Sequence, residues 1–125
     1  MTFDQPKLYS ADLRGCASLT QLGCDEIAAA FAAALRDAGA TIVDQVSHLY
    51  EGHGLTCVLV LRESHAVLHT WPETGTVNID IFSCSTRLKS LEAVDDLRRV
   101  FGARGVDVQE IVRADGHLRG PASGS

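Results

Sequence analysis

LTCVLVLRESHAVLHTWPETGTVNIDIFSC, residues 55–84, reads as a succession of strands and decides the fold. Leu55 to Leu61 is an unbroken apolar run of strand length, the pattern of a central strand. Glu63-Ser64-His65 interrupts it, apolar character resumes over Ala66 to Trp71, and Pro72 to Gly75 supplies a turn. Thr76 to Cys84 then alternates cleanly. Val77, Ile79 and Ile81 point one way, while Asn78, Asp80, Phe82 and Cys84 point the other.

Working outward, Lys7 to Leu13 reads as a first strand of imperfect alternation. Cys24 to Ala38 is alanine-rich and sets Ile27, Phe31, Ala34, Leu35 and Ala38 at helical spacing, with Gly39 as its stop. Thr41 to Tyr50 is a strand rich in β-branched residues, followed by a turn at Gly52 and Gly54. Leu88 to Phe101 fits a second amphipathic helix, with Leu91, Val94, Leu97 and Phe101 expected on its core stripe. Val106 to Val112 alternates as a last strand, and the Gly, Pro and Ser content over 115–125 predicts a flexible tail.

Two helices and several strands joined by short turns give an α+β class: a mainly antiparallel sheet with both helices on one face. The other face then carries His69, Trp71, Asp80, Phe82 and Cys84. That mixture is too apolar to leave wet and too polar for a simple core. A second copy of the chain, packed sheet against sheet as a homodimer, would cover it.

A chain of 125 residues suits one domain, 1–125. The net charge of −5 and the lack of a basic cluster argue against nucleic acid as a partner. No apolar run approaches the roughly 20 residues of a bilayer span. The opening MTFDQPKLYS lacks the basic and apolar blocks of a signal peptide, so a cytoplasmic location is expected. Cys16, Cys24, Cys57 and Cys84 form no CxxC pair and no metal-finger spacing, which predicts free thiols and no structural zinc.

The chemistry gathers around Glu63-Ser64. A serine hydroxyl can attack the carbonyl before it if the backbone is strained and the oxyanion is stabilised, turning an amide into an ester. Loss of the serine α-proton then expels the new carboxylate and leaves a dehydroalanine, which hydrolyses to a pyruvoyl group. That ketone can condense with a substrate amine and act as an electron sink without an external cofactor. A base, an oxyanion donor and an acid are required, and His69, Thr56 and Cys84 are the candidates.

ESHAVLHTWPE, residues 63–73, resembles the self-cleavage and active-site segment of the prokaryotic S-adenosylmethionine decarboxylases. The likeness runs from GATIV at Gly39 through DIFSC at Asp80 to Cys84, more weakly into the first strand. It implies a two-layer α/β half-sandwich, cleavage between residues 63 and 64, and a pyruvoyl cofactor made from Ser64. It implies that His69 assists processing and that Cys84 is the catalytic proton donor. It further implies sites shared between two protomers, with Ser64 and Cys84 from one and His69 from the other. Glu73 would lie by the substrate ribose and Tyr50 against adenine. The implied activity is decarboxylation of S-adenosylmethionine, whose product supplies aminopropyl groups for polyamine synthesis.

The departures fall on the substrate side. A PYGVSG-like segment in the family is EGHGLTC here, so Thr56 stands for a processing serine and Cys57 for a glycine. Ser85 follows the cysteine where glycine is usual, and GTVNID replaces GYAAID, which introduces Asn78 beside Asp80 as a further substrate-binding candidate. Two alternatives follow. The same chemistry could serve a free basic amino acid, arginine or ornithine, with Glu51, Glu73 and Asp80 meeting its cationic side chain. Alternatively, the chain is an unprocessed relative acting as a binding or regulatory partner. His65 and His69 are four apart on a strand with no third ligand nearby, so no metal is expected. His65 reads as structural, and Trp71 as packing.

Overall fold

Among the described residues, alternating and continuous apolar segments become six strands, and the two amphipathic segments become helices. In chain order these are β1 (Lys7–Arg14), α1 (Cys24–Asp37), β2 (Ile42–Leu49), β3 (Leu55–Leu61), β4 (Ser64–Trp71), β5 (Thr76–Ser83), α2 (Ser90–Phe101) and β6 (Gly105–Val112). A short 3-10 turn at Leu19–Gln21, which the sequence reading did not anticipate, leads into α1. The structure is a computed structural model and describes residues 5–85 and 87–115. Most of the tail expected at 115–125 lies outside the described residues.

The strands form one sheet in the order β2-β3-β4-β5-β1-β6, and every neighbouring pair is antiparallel. β2 through β5 make a meander, because each connection is a short turn and antiparallel neighbours need no crossover. β1 then pairs with β5 on one side and β6 on the other.

One face is the core. Ala11, Leu13, Leu55, Cys57, Leu59, Leu61, Ala66, Leu68, Val77, Ile79 and Ile81 are buried there, with Phe31 and Leu35 of α1 and Val94, Leu97 and Phe101 of α2. Of the buried polar side chains among the described residues, Thr70 accepts a hydrogen bond from the Leu55 N–H at 2.9 Å, Ser83 donates to the Ser85 carbonyl at 3.2 Å, and the Ser90 hydroxyl has no partner. Leu91, expected on the core stripe, is instead 56% exposed. α2 begins at Ser90, and it is Ser90 and Ala93 that turn inward beside Val94.

The helix ends follow their signals. Glu26 accepts the Gly23 N–H at 3.0 Å in the first turn of α1. Gly39 follows with φ +107, where a Cβ would stand 2.5 Å from the Arg87 carbonyl oxygen. That close approach ties the end of α1 to the segment entering α2.

Among the described residues, no helix covers the opposite face. Val46 of β2, Val60 of β3 and Trp71 of β4 are exposed there, and Val58, Val67 and Phe82 half-buried. It is an apolar surface broken by Ser10, Asp12, Thr56, His69, Asn78 and Asp80.

Candidate active site

A two-residue turn joins β3 to β4, with Leu61 and Ser64 paired across it. Within it Glu63 has φ +60, a left-handed conformation unusual for a residue with a side chain. Such strain, of order 1–2 kcal/mol, is held in place by the flanking ladder. Ser64 follows directly as the first residue of β4.

The β4–β5 register pairs His65 with Phe82, so Cys84 falls across from Glu63. The Cys84 thiol donates to the Glu63 carbonyl oxygen at 2.8 Å. This is the carbonyl that a Ser64 hydroxyl would attack. The sequence reading gave Cys84 the role of late proton donor; its contact with this carbonyl was not foreseen, because only the hairpin geometry brings the two together. His65 stacks on Phe82, with ring centroids 5.2 Å apart and planes 12° apart, anchoring the start of β4. A cavity of about 220 Å³ opens beside Cys84, lined by Lys7, Tyr9, Ser83, Ser85 and Leu88 among others. Lys7 bridges to Glu110 at 2.9 Å, and the ammonium keeps the Glu110 carboxyl below its usual range. Burial, then the Glu110 charge, pushes the Tyr9 hydroxyl up.

His69 is not in this group. Five residues along β4 from Ser64, it lies about 17 Å away at the rise of an extended strand. It belongs to a second cluster at the other end of the sheet. His69 Nδ1 and Thr56 Oγ1 share a hydrogen bond of 2.6 Å across the β3–β4 ladder. Thr56 Oγ1 also meets the Tyr50 hydroxyl at 3.2 Å. The His69 ring lies between Tyr50, centroid 5.7 Å away, and Trp71, centroid 4.5 Å away. Glu51 is exposed in the β2–β3 turn and Glu73 in the β4–β5 turn, both at this end. Asp80, midway along β5, accepts from Ser10 at 2.8 Å. Asn78 bonds Trp71 and Asp12.

One end of the sheet therefore holds Glu63, Ser64 and Cys84, with Ser64 on the side of Leu61 and Ala66, and the other end holds Tyr50, Thr56, His69 and Trp71 on the open face. Cys24 is half-buried like Cys84, but the other two thiols differ. Cys16 and Cys57 are buried in the core, and burial raises their pKa above the usual thiol range.

Fold and site together define an α+β domain whose hairpin presents a strained Glu-Ser peptide to a thiol. The family model for S-adenosylmethionine decarboxylase matches residues 7–114. The S-adenosylmethionine decarboxylase proenzyme of Acidithiobacillus ferrooxidans is 33% identical over 110 residues, covering 88% of this chain and 83% of that protein. The proenzyme of Thermotoga petrophila is 38% identical over 74 residues, 59% of this chain and 57% of that one. The solved structure of the adenosylmethionine decarboxylase from Aquifex aeolicus superposes with a TM-score of 0.78, covering 95% of this chain and 98% of that chain at 23% identity, a likeness of fold. The chain belongs to the S-adenosylmethionine decarboxylase family.

Proposed function

We propose that this chain is a precursor that cleaves itself between Glu63 and Ser64 and then decarboxylates S-adenosylmethionine. The observation that carries the reading is the Cys84 thiol on the Glu63 carbonyl, with Glu63 at φ +60 immediately before Ser64. The strained peptide is poised to relax when its amide is broken, and a donor already stands where negative charge would develop on the oxygen. Ser64 Oγ attacks the Glu63 carbonyl carbon, the peptide nitrogen leaves as the Ser64 amine, and an ester joins the two residues. Loss of the Ser64 α-proton expels the Glu63 carboxylate. Hydrolysis with release of ammonia leaves residues 1–63 as one chain and 64–125 as the other.

The residues fit a pyruvoyl group at position 64. When formed, it supplies a ketone that condenses with the substrate amine and draws electrons from the breaking carbon–carbon bond. Cys84, adjacent to that position, is the group able to deliver a proton there. Glu73 and Tyr50 are proposed to receive the ribose and adenine, and Tyr50 has the half-exposed ring that stacking requires.

The separation of the two clusters supports a site completed by a second copy of the chain. Within one chain His69 cannot reach Ser64. The cavity beside Cys84, about 220 Å³, falls short of the roughly 300–1,000 Å³ typical of ligand pockets. Packing two open faces together would bury the exposed valines and Trp71, and a second copy placed so that its His69 and Thr56 reach the β3–β4 turn would complete the group around Ser64 and Cys84.

Intact mass combined with carbon dioxide release on S-adenosylmethionine, arginine and ornithine tests the reading. Two fragments and release from S-adenosylmethionine are expected. Release only from a basic amino acid would overturn the substrate, and an uncleaved, inactive chain would overturn the activity.

A further inference from the structure

Asn78 lies at the junction of two hydrogen bonds that tie three strands together. Its Oδ1 accepts from Trp71 Nε1 at 2.6 Å, and its Nδ2 donates to Asp12 Oδ1 at 2.8 Å. The register sets it opposite His69 on β4 and opposite Asp12 on β1. The direction of the amide follows from chemistry: an indole N–H only donates and a carboxylate only accepts, so only one orientation satisfies both.

The consequence falls on His69. Trp71 lies tilted at 51° with its ring centroid 4.5 Å from the imidazole, and Tyr50 flanks it at 5.7 Å. Thr56 holds Nδ1. The imidazole is thus bounded on three sides, and Nε2 is the nitrogen left to act. The indole is 44% exposed. Without the Asn78 bond it would be free to exchange rotamers, and the wall beside His69 would go with it.

We propose that Asn78 is a positioning residue and not a substrate ligand: the Asp12–Asn78 pair holds Trp71 against His69 and so fixes where the imidazole points. The proposal rests on the reading of His69 as a working residue of the site.

Trp71 is the only tryptophan in the chain, so its emission reports this contact directly. Three variants are compared: Asn78→Ala, Asn78→Asp, and the exchange Asp12→Asn with Asn78→Asp. The single aspartate sets two carboxylates against each other, whereas the exchange restores one donor and one acceptor. Both single variants are expected to shift Trp71 emission, slow chain cleavage and lower kcat about 10- to 100-fold, with KM for S-adenosylmethionine altered less than about threefold. The exchange is expected to recover emission and rate together. Unchanged emission in Asn78→Ala, a raised KM at constant kcat, or an exchange no better than Asn78→Asp would each overturn the proposal. Full cleavage and turnover in His69→Ala would instead overturn the reading on which it rests, a separate result.

Discussion

At the scale of single residues, Cys84 is asked to act twice. Its thiol meets the Glu63 carbonyl before cleavage, and the same thiol is the proposed proton donor to product afterwards. A neutral thiol is a weak donor, so its loss should slow the first step modestly and the second severely. Cys84→Ala is therefore expected to cleave about tenfold more slowly yet go to completion, and to show almost no decarboxylation. Fragment formation followed by mass, alongside carbon dioxide release, checks both; a variant with normal turnover would remove Cys84 from the acid role. The candidate residues for this proposed chemistry could be named because the segment over 63–73 is so distinctive. What could not be read was distance. Ser64, His69 and Cys84 look like one group along the chain, but β4 separates the first two by its own length. Asp12 was missed altogether, since the uneven alternation of β1 hid that Ser10 and Asp12 share the face of Asp80 and Asn78.

Among elements, the strands were the easiest to read and the helix faces the hardest. Leu55–Leu61 coincides with β3, and the alternation over Val77, Ile79 and Ile81 is the buried face of β5. Strand alternation has a period of two, so an error of one residue would invert the whole face and is hard to make. A helix stripe tolerates more than one phase, which is how Leu91 was assigned inward while Ser90 holds that position. The α1 stop at Gly39 was legible as a signal, but its necessity comes from tertiary contact. Gly39→Ala places a methyl group in a left-handed backbone and against the Arg87 carbonyl, and should cost about 2–3 kcal/mol. Urea unfolding of the two proteins measures it; a loss under about 0.5 kcal/mol would mean that the α1–α2 junction yields freely.

For the whole molecule, titration and assembly are the properties to test. Cys16 and Cys57 are thiols whose folded pKa burial raises above the ordinary value. The stability they lend is complete below the unfolded thiol pKa of about 8.5 and is lost as pH rises through the folded values. Thermal midpoints are therefore expected to fall on going from neutral pH to pH 10, and Cys57→Ala, though less stable at neutral pH, should show a shallower fall. An equal slope in that variant would exclude Cys57 as a source. Assembly matters more, because the proposed function needs a second chain to join the two clusters at opposite ends of the sheet. The α+β class and the unpartnered face were legible from alternation alone, whereas the split of the site into two ends needed the strand order and register. The most direct measurement mixes Ser64→Ala protein with His69→Ala protein, each expected to be inactive alone, under conditions that let subunits exchange. If the site is shared, mixed dimers contain one site with Ser64, Cys84 and His69 all intact, and the mixture should regain about a quarter of wild-type decarboxylation, half of its dimers being mixed with one working site each. A mixture as inactive as its parents, with exchange verified by mass, would contradict the account.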